Sequence, residues 1–482
     1  MMDIPCNISA AELLNRIRNG KHVQRAIVEG DIVARDVEFA DHVALRDVHF
    51  TGTVDFSSCT FRGGISVVNC MLQDAAFGHA EFHGAAYFWR THFSGAATFD
   101  NAVVHCGGLS QGSVDDGEFN VSWARFGGPA SFVRLRVHGP AHFWRTIFVH
   151  NVTMDESLFA NGVRFMGRES EISLDLTQLG GVAIYDQLLQ CGLIKPDPEE
   201  AFGPGRSRFA QLAGLSTSKT PEEDLCRALN RTKVPTPVRQ ALLVAFKVGA
   251  LPMFTPGRRV SLCRLEIGAP GKSVLQEIDM TPCRLLGTDL RGIRVENLKW
   301  PGRRIAFGLI RRNATADELD ATNATVDVGL RKLYRDLAAI YESQLDATEA
   351  IRFRIADREL SRKDLPLVAR ILSWCERQLS AYSTSPGIAL WWLMVLVIFI
   401  VPSLLVLLGK PESMTSADTH SSTARFAAAV VRSLEIAAFL KDSDPQSTLP
   451  LRFLAGIERI VVTAQLTLFL LSLRRITWRT AN

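Results

Sequence analysis

The chain has 482 residues, 47% of them apolar and 22% charged, with a formal net charge of +4. That length holds about two to four domains, and the composition describes a soluble body with a small membrane part rather than a polytopic transporter. So slight a charge gives no argument for nucleic acid as a partner. Nine scattered cysteines without a CxxC pair read as reduced thiols, not as a disulfide framework or a zinc site. The first residues hold no basic-then-apolar leader, which predicts that the soluble part stays in the cytoplasm.

Ser9-Ala-Ala-Glu12 is a capping box that opens a short helix ending near Gly20. Large apolar residues then recur at Phe39, Leu45, Phe50, Phe56, Phe61, Val67, Leu72, Phe77, Phe82, Phe88, Phe93 and Phe99, always five or six apart. A smaller residue stands two positions before most of them, such as Val43, Val48, Val54, Cys59, Ala80 and Ala86. Neither a helix nor a flat strand has this period. It fits a solenoid in which each quintet makes one side of a squared coil and stacked coils share a column of apolar rings. YFWRTHF (Tyr87–Phe93) and HFWRTIF (His142–Phe148) are near-copies about eleven quintets apart.

This rhythm resembles the pentapeptide-repeat family, and the lead-in Leu13–Val33 is similar to the segment before the repeats in its membrane-linked members. The resemblance implies a right-handed quadrilateral β-helix. Frequent sixes and the missing Asp/Asn-Leu pairing predict irregular coils. DNA mimicry, known in the family, needs a strongly acidic rod. Between Arg25 and Arg164 there are only about five more acidic than basic residues, so nucleic-acid mimicry is disfavoured. Trp89, Arg90, Trp144 and Arg145, with Trp123, read either as an exposed recognition surface for a protein partner or as tryptophans packed along coil corners under stacked arginines. Nine of the eleven histidines fall in this region. No CxxC pair or HExxH accompanies them, so no metal and no cofactor is predicted.

The quintets fade after Leu179. Lys195–Gly205 reads as a loop, and Thr220-Pro221 and Thr236-Pro237 open helices of an insertion. Short apolar alternation returns from Val260 to Trp300 as a second solenoid segment. Val328–Lys363 is strongly helical with a break at Asp346. It resembles the helical coupler of the same family, and Tyr334, Glu342 and Glu359 read there as surface or coupling residues. No catalytic constellation stands out, so an enzyme is not predicted. Ile371–Ser385 reads as an amphipathic approach to the membrane, with Trp374 and Tyr382 at the interface.

Gly387–Leu408 holds no charge and spans roughly 33 Å as a helix, enough for a hydrocarbon core near 30 Å. Trp391 and Trp392, one turn in, suit the interface. A second apolar run, Ile457–Leu473, reads as a second span followed by Arg474 and Arg475, and Ala424–Leu440 as a short helix between them. Basic flanks on both spans predict a cytoplasmic soluble part and C-terminus in a bacterial inner membrane. The order resembles the two-transmembrane potassium-channel-like module of some pentapeptide-repeat proteins, although Phe439–Pro450 lacks the glycine of a selectivity filter. Glu458, Gln465 and Ser472 recur every seven residues and read either as a pore stripe or as helix–helix hydrogen-bonding groups.

The expected architecture is mixed: capping helix 1–24, irregular β-helix 25–180, helical insertion 181–255, second β-helical segment 256–302 and helical coupler 303–385. A channel-like transmembrane hairpin, 386–482, follows, with a short re-entrant or interfacial helix at 424–440. The main functional expectation is an oligomeric pore or gated sensor assembled through that hairpin. The alternative is a protein-binding solenoid adaptor tethered to the lipid bilayer.

Overall fold

The computed structural model describes residues 6–105, 117–167, 173–175, 194–196, 209–212, 252–305, 310–320, 324–380, 386–408, 422–437, 456–467 and 469–470, with isolated positions 227, 229, 239 and 243. The chain divides into two compact units. One holds Met1–Pro301 with Ala314–Ala350, and the other holds Gly302–Asn313 with Ile351–Asn482.

In the first unit, strands of two to four residues form four parallel sheets of seven, nine, eight and seven strands. Each coil contributes one strand to each face. Val43 lies opposite Ile65 and Ile65 opposite Ala86, so a coil takes 22 (65 − 43) or 21 (86 − 65) residues. The large positions stack into ring columns inside. Phe77, Phe99 and Phe132 follow one another at 5.0 and 5.1 Å with nearly parallel planes. Phe93, Phe126 and Phe148 do the same at 4.7 and 4.8 Å. Where the small inward position is polar, its hydroxyl donates to a carbonyl one coil away, as Thr91 does to Val67 at 2.8 Å and Thr146 to Val121 at 2.9 Å. A buried hydroxyl left unpaired would cost about 1–3 kcal/mol.

The sixes are not irregularities. Corners of two kinds alternate along the chain. At the tight ones, a residue with positive φ closes a four-residue turn, for example Ser58 (58°) with Cys59 N–H donating to Phe56, and Asn101 (58°) with Ala102 donating to Phe99. Such residues recur almost every eleven positions, from Arg25 through Asp36, Asp47, Ser58 and Asn69 to Glu156. Most of the other corners carry the extra residue, some with a glycine at positive φ such as Gly30, Gly64 and Gly162, so fives and sixes largely alternate; the corner between Leu72 and Phe77 keeps five. The two WRT copies also stand closer than their separation implies. Tyr87 pairs with Asn120 and Asn120 with His142, so they lie two coils apart on one face.

The column continues across the long interruption. Val152 pairs with Val260 and Arg164 with Val274 in unbroken sheets, and Phe254 stacks on Phe148 at 5.7 Å. Inside the interruption, Ser173–Asp175 and Ile194–Pro196 flank Phe209–Leu212 in an antiparallel sheet. Lys195 and Pro196 are thus strand rather than loop. The predicted helix starts at Thr220 and Thr236 lie outside the described residues.

Helices close the column at both ends. Ala10–Arg18 starts at Ser9, whose hydroxyl accepts from Glu12 N–H, and buries Leu13 and Ile17. At the other end Asp317 accepts from the N–H groups of Leu285 and Leu286 at 2.7 and 3.3 Å. Gln344 completes the edge strand Arg294–Glu296: its Oε1 accepts from Val295 N–H and its Nε2 donates to Ile293 C=O. A side-chain amide here does what the next strand would do, so the edge offers fewer open groups for pairing. Tyr334, expected to be a surface or coupling residue, is fully buried on Ala324–Ser343, accepting from Thr315 N–H and donating to Glu318. Leu345 (φ 64°) ends that helix, and Asp346 caps the next, Ala347–Ser361, through Glu349 N–H.

In the second unit, the hairpin Gly302–Ile305/Ile310–Asn313 puts strands where the coupler was expected to be helical, and Ile305 packs on Ile351 and Ile355. Among the described residues one helix is long and apolar enough to cross a membrane, Gly387–Leu404. This corrects the expected two-helix hairpin. The clean apolar core of the second run, Ile460–Leu473, reaches only about 21 Å as a helix, well short of 30 Å, and Glu458 and Arg459 precede it. The channel-like module, the pore reading and the two-pass topology all needed that second crossing. The placing of both flanks on the cytoplasmic side needed it as well.

Candidate membrane tether and solenoid recognition corner

The tether is built from Pro386–Val395, a π-helical turn Leu396–Ile400 and Val401–Leu408. Pro402 lacks an N–H, and its ring would crowd the carbonyl four residues back. The wider π turn falls at that place and lets the helix continue. Only 22% of Gly387–Leu404 is buried. Leu390, Trp391, Met394, Phe399 and Ile400 all stand out from it, so most of its apolar surface is uncovered. Trp391 and Trp392 make an edge-to-face pair at 5.0 Å.

Glu458 and Gln465 are buried against neighbouring helices. Ser433, on the helix Ser422–Ala437, donates to Glu458 at 2.6 Å, and Gln465 donates to the backbone carbonyl of Ala389 at 2.9 Å. Each therefore fastens one helix to another within the chain. Ser472, Arg474 and Arg475 lie outside the described residues, as does Tyr382.

The helix Leu367–Ser380 carries a feature that sequence reasoning caught only in part. Leu367, Val368, Ile371, Leu372 and Trp374 are all exposed on it. Beside this stripe is a recess of about 410 Å³ lined by Arg362, Lys363, Arg370, Ile371 and Trp374. Arg370 is held in place by donating to the carbonyls of Lys363 and Leu365. Glu359, which a search for catalytic carboxylates would pick out, is engaged by Arg362 and Arg377 at 3.7 and 3.4 Å.

On the solenoid, the tryptophans and arginines stack along one corner. Arg90 lies over Trp89 at 4.2 Å and within 5.8 Å of Trp123. Arg145 lies over Trp123 at 4.3 Å and beside Trp144 at 5.3 Å. Arg90, Trp123 and Arg145 hold the positive-φ corner position in successive coils. That conformation costs a side chain other than Gly or Asn about 1 kcal/mol or more, and each cation–π contact returns about 0.5–1 kcal/mol. All five residues are half-buried, so the stack both seals the corner and presents its edge to solvent.

The buried thiols have no reactive role. Burial pushes Cys59 up to about 11 and Cys70 up to about 12, so both stay protonated and act as small core residues.

A family model described as pentapeptide repeats in nine copies matches residues 45–103. Pentapeptide-repeat solenoids are generally structural or regulatory rather than catalytic. No curated protein and no solved structure matches the chain. The sequence similarity is thus to the pentapeptide-repeat solenoid, and among the described residues one helix is long and apolar enough to cross a membrane.

Proposed function

We propose that the protein is a solenoid adaptor tethered to a membrane by Gly387–Leu404. The carrying observation is that this uncharged helix leaves most of its apolar surface uncovered in a chain whose other unit is a pentapeptide-type solenoid. Leu367–Ser380 supports the tether: its exposed apolar stripe suits the headgroup boundary, and its basic recess suits anionic lipid headgroups. Trp391 and Trp392 serve as interface anchors in this reading, and Glu458 and Gln465 hold the helices around the tether together. The corner of Trp89, Arg90, Trp144 and Arg145 is assigned to a protein partner, because aromatic and arginine side chains dominate protein interfaces. The first test is extraction of the full chain from cell membranes. A tethered protein stays in the pellet through an alkaline carbonate wash and leaves with detergent. Release by carbonate alone would refute the tether.

A further inference from the structure

One face of the solenoid carries a column of histidines that the chain order hides. His83 and His105, 22 residues apart, stack one coil apart at 4.6 Å with ring planes 11° from parallel. Glu81 stands beside them, its carboxylate 3.5 Å from His83 Nε2. One donor atom from each of Glu81, His83 and His105 lies within 4.8 Å of the other two. His105 Nε2 is closed off from solvent and has no hydrogen-bond partner among the described residues.

We propose that Glu81, His83 and His105 form a binding site for a divalent transition-metal ion of the zinc, copper or nickel type. Two imidazoles and one carboxylate are the donor set those ions favour, and solvent supplies the open position. The donors stand wider than in a filled site, where nitrogens about 2.0–2.1 Å from the ion lie little more than 3 Å apart. A modest turn of each ring closes the gap, and the terminal torsion of histidine is broad. The nearest cation on this face one coil below, Arg62, is already paired with Glu38. His138 continues the stack at 5.9 Å, but Arg136 is two residues from it on the same face. We therefore leave His138 outside the primary set.

The test uses the full, tag-free chain in detergent. Zinc affinity is read by competition with a chromophoric chelator, and cobalt is titrated to report the ligands. We expect one site per chain with ligand-field bands of nitrogen and oxygen coordination and no thiolate charge-transfer band. His83→Gln and His105→Asn should each weaken zinc at least about a hundredfold, because even outer partners of a metal ligand are worth 10–100-fold. Glu81→Gln should weaken it less. Unchanged circular dichroism would show that the variants fold. Absence of binding in the unaltered chain, a thiolate signature, or unchanged affinity in both histidine variants would each overturn the proposal.

Discussion

Replacing Phe99 with alanine probes the physical basis of the solenoid. Phe99 is fully buried. Its ring lies flat against Phe77 and Phe132 at 5.0 and 5.1 Å and meets Phe88 and Phe119 edge-on at 5.2 and 5.8 Å. Phe-to-Ala changes in packed cores cost about 3–5 kcal/mol, and the stacked neighbours here have little freedom to collapse into the space. In a solenoid each coil touches only the next, so the loss should stay local. Hydrogen exchange of the full chain reads this coil by coil. Amides bridging the flanking coils, such as Phe77 to Thr98 and Phe99 to Ser131, should exchange about two to nearly four orders of magnitude faster. Those near Ile27 and Val295 should change far less. A loss below about 1 kcal/mol, or one spread evenly over all coils, would refute the stacked-column account.

Three further outcomes follow from single groups. Trp123→Asn should change stability by less than about 1 kcal/mol, since relief of a left-handed tryptophan offsets the lost stacking; a much larger loss in chemical denaturation would show that the corner is mainly structural. Burial, with Arg125 adding to it, lowers His92 from 6.5 to about 4. The unfolded chain then binds the extra proton between those values, so stability is full above pH 6.5 and falls by up to about 3 kcal/mol as pH drops to 4. His92→Gln should flatten that slope, and an unaltered slope would contradict the assignment. Gln344→Ala should cost about 1–3 kcal/mol and open the amide of Val295 to exchange, whereas unchanged protection there would show that the edge needs no cap.

The parts of the fold legible in sequence were those with a local period. The recurrence from Phe39 to Phe99 dictates inward columns because no other backbone arrangement turns every fifth or sixth residue inward. The uncharged run from Gly387 is legible for the same reason, since length and apolarity are one-dimensional properties. Contacts set by stacking were not legible. His83 and His105 are neighbours only because a coil takes about 22 residues, and Gln344 meets Val295 only once the column ends beneath a helix. Tyr334 reads as a surface or coupling residue, and only the fold shows its hydroxyl bonded to Thr315 and Glu318. The sevenfold stripe of Glu458 and Gln465 has a real period, but period alone does not say whether a polar face meets water or another helix. In this chain Glu458 meets Ser433 and Gln465 meets the Ala389 carbonyl.

The tether itself is tested most directly by flotation of the full chain with liposomes containing anionic lipid, comparing it with a variant carrying both Met394→Arg and Phe399→Arg. Both side chains are more than half exposed, at 51% and 58%, so the change leaves the helix packing in place. Each arginine near the centre of a span costs about 2.5–3.5 kcal/mol of insertion. The account predicts that the unaltered chain floats with the vesicles and resists high salt, while the variant, its circular dichroism unchanged, stays largely at the bottom of the gradient. Equal flotation of both would contradict the claim that Gly387–Leu404 holds this protein in the membrane.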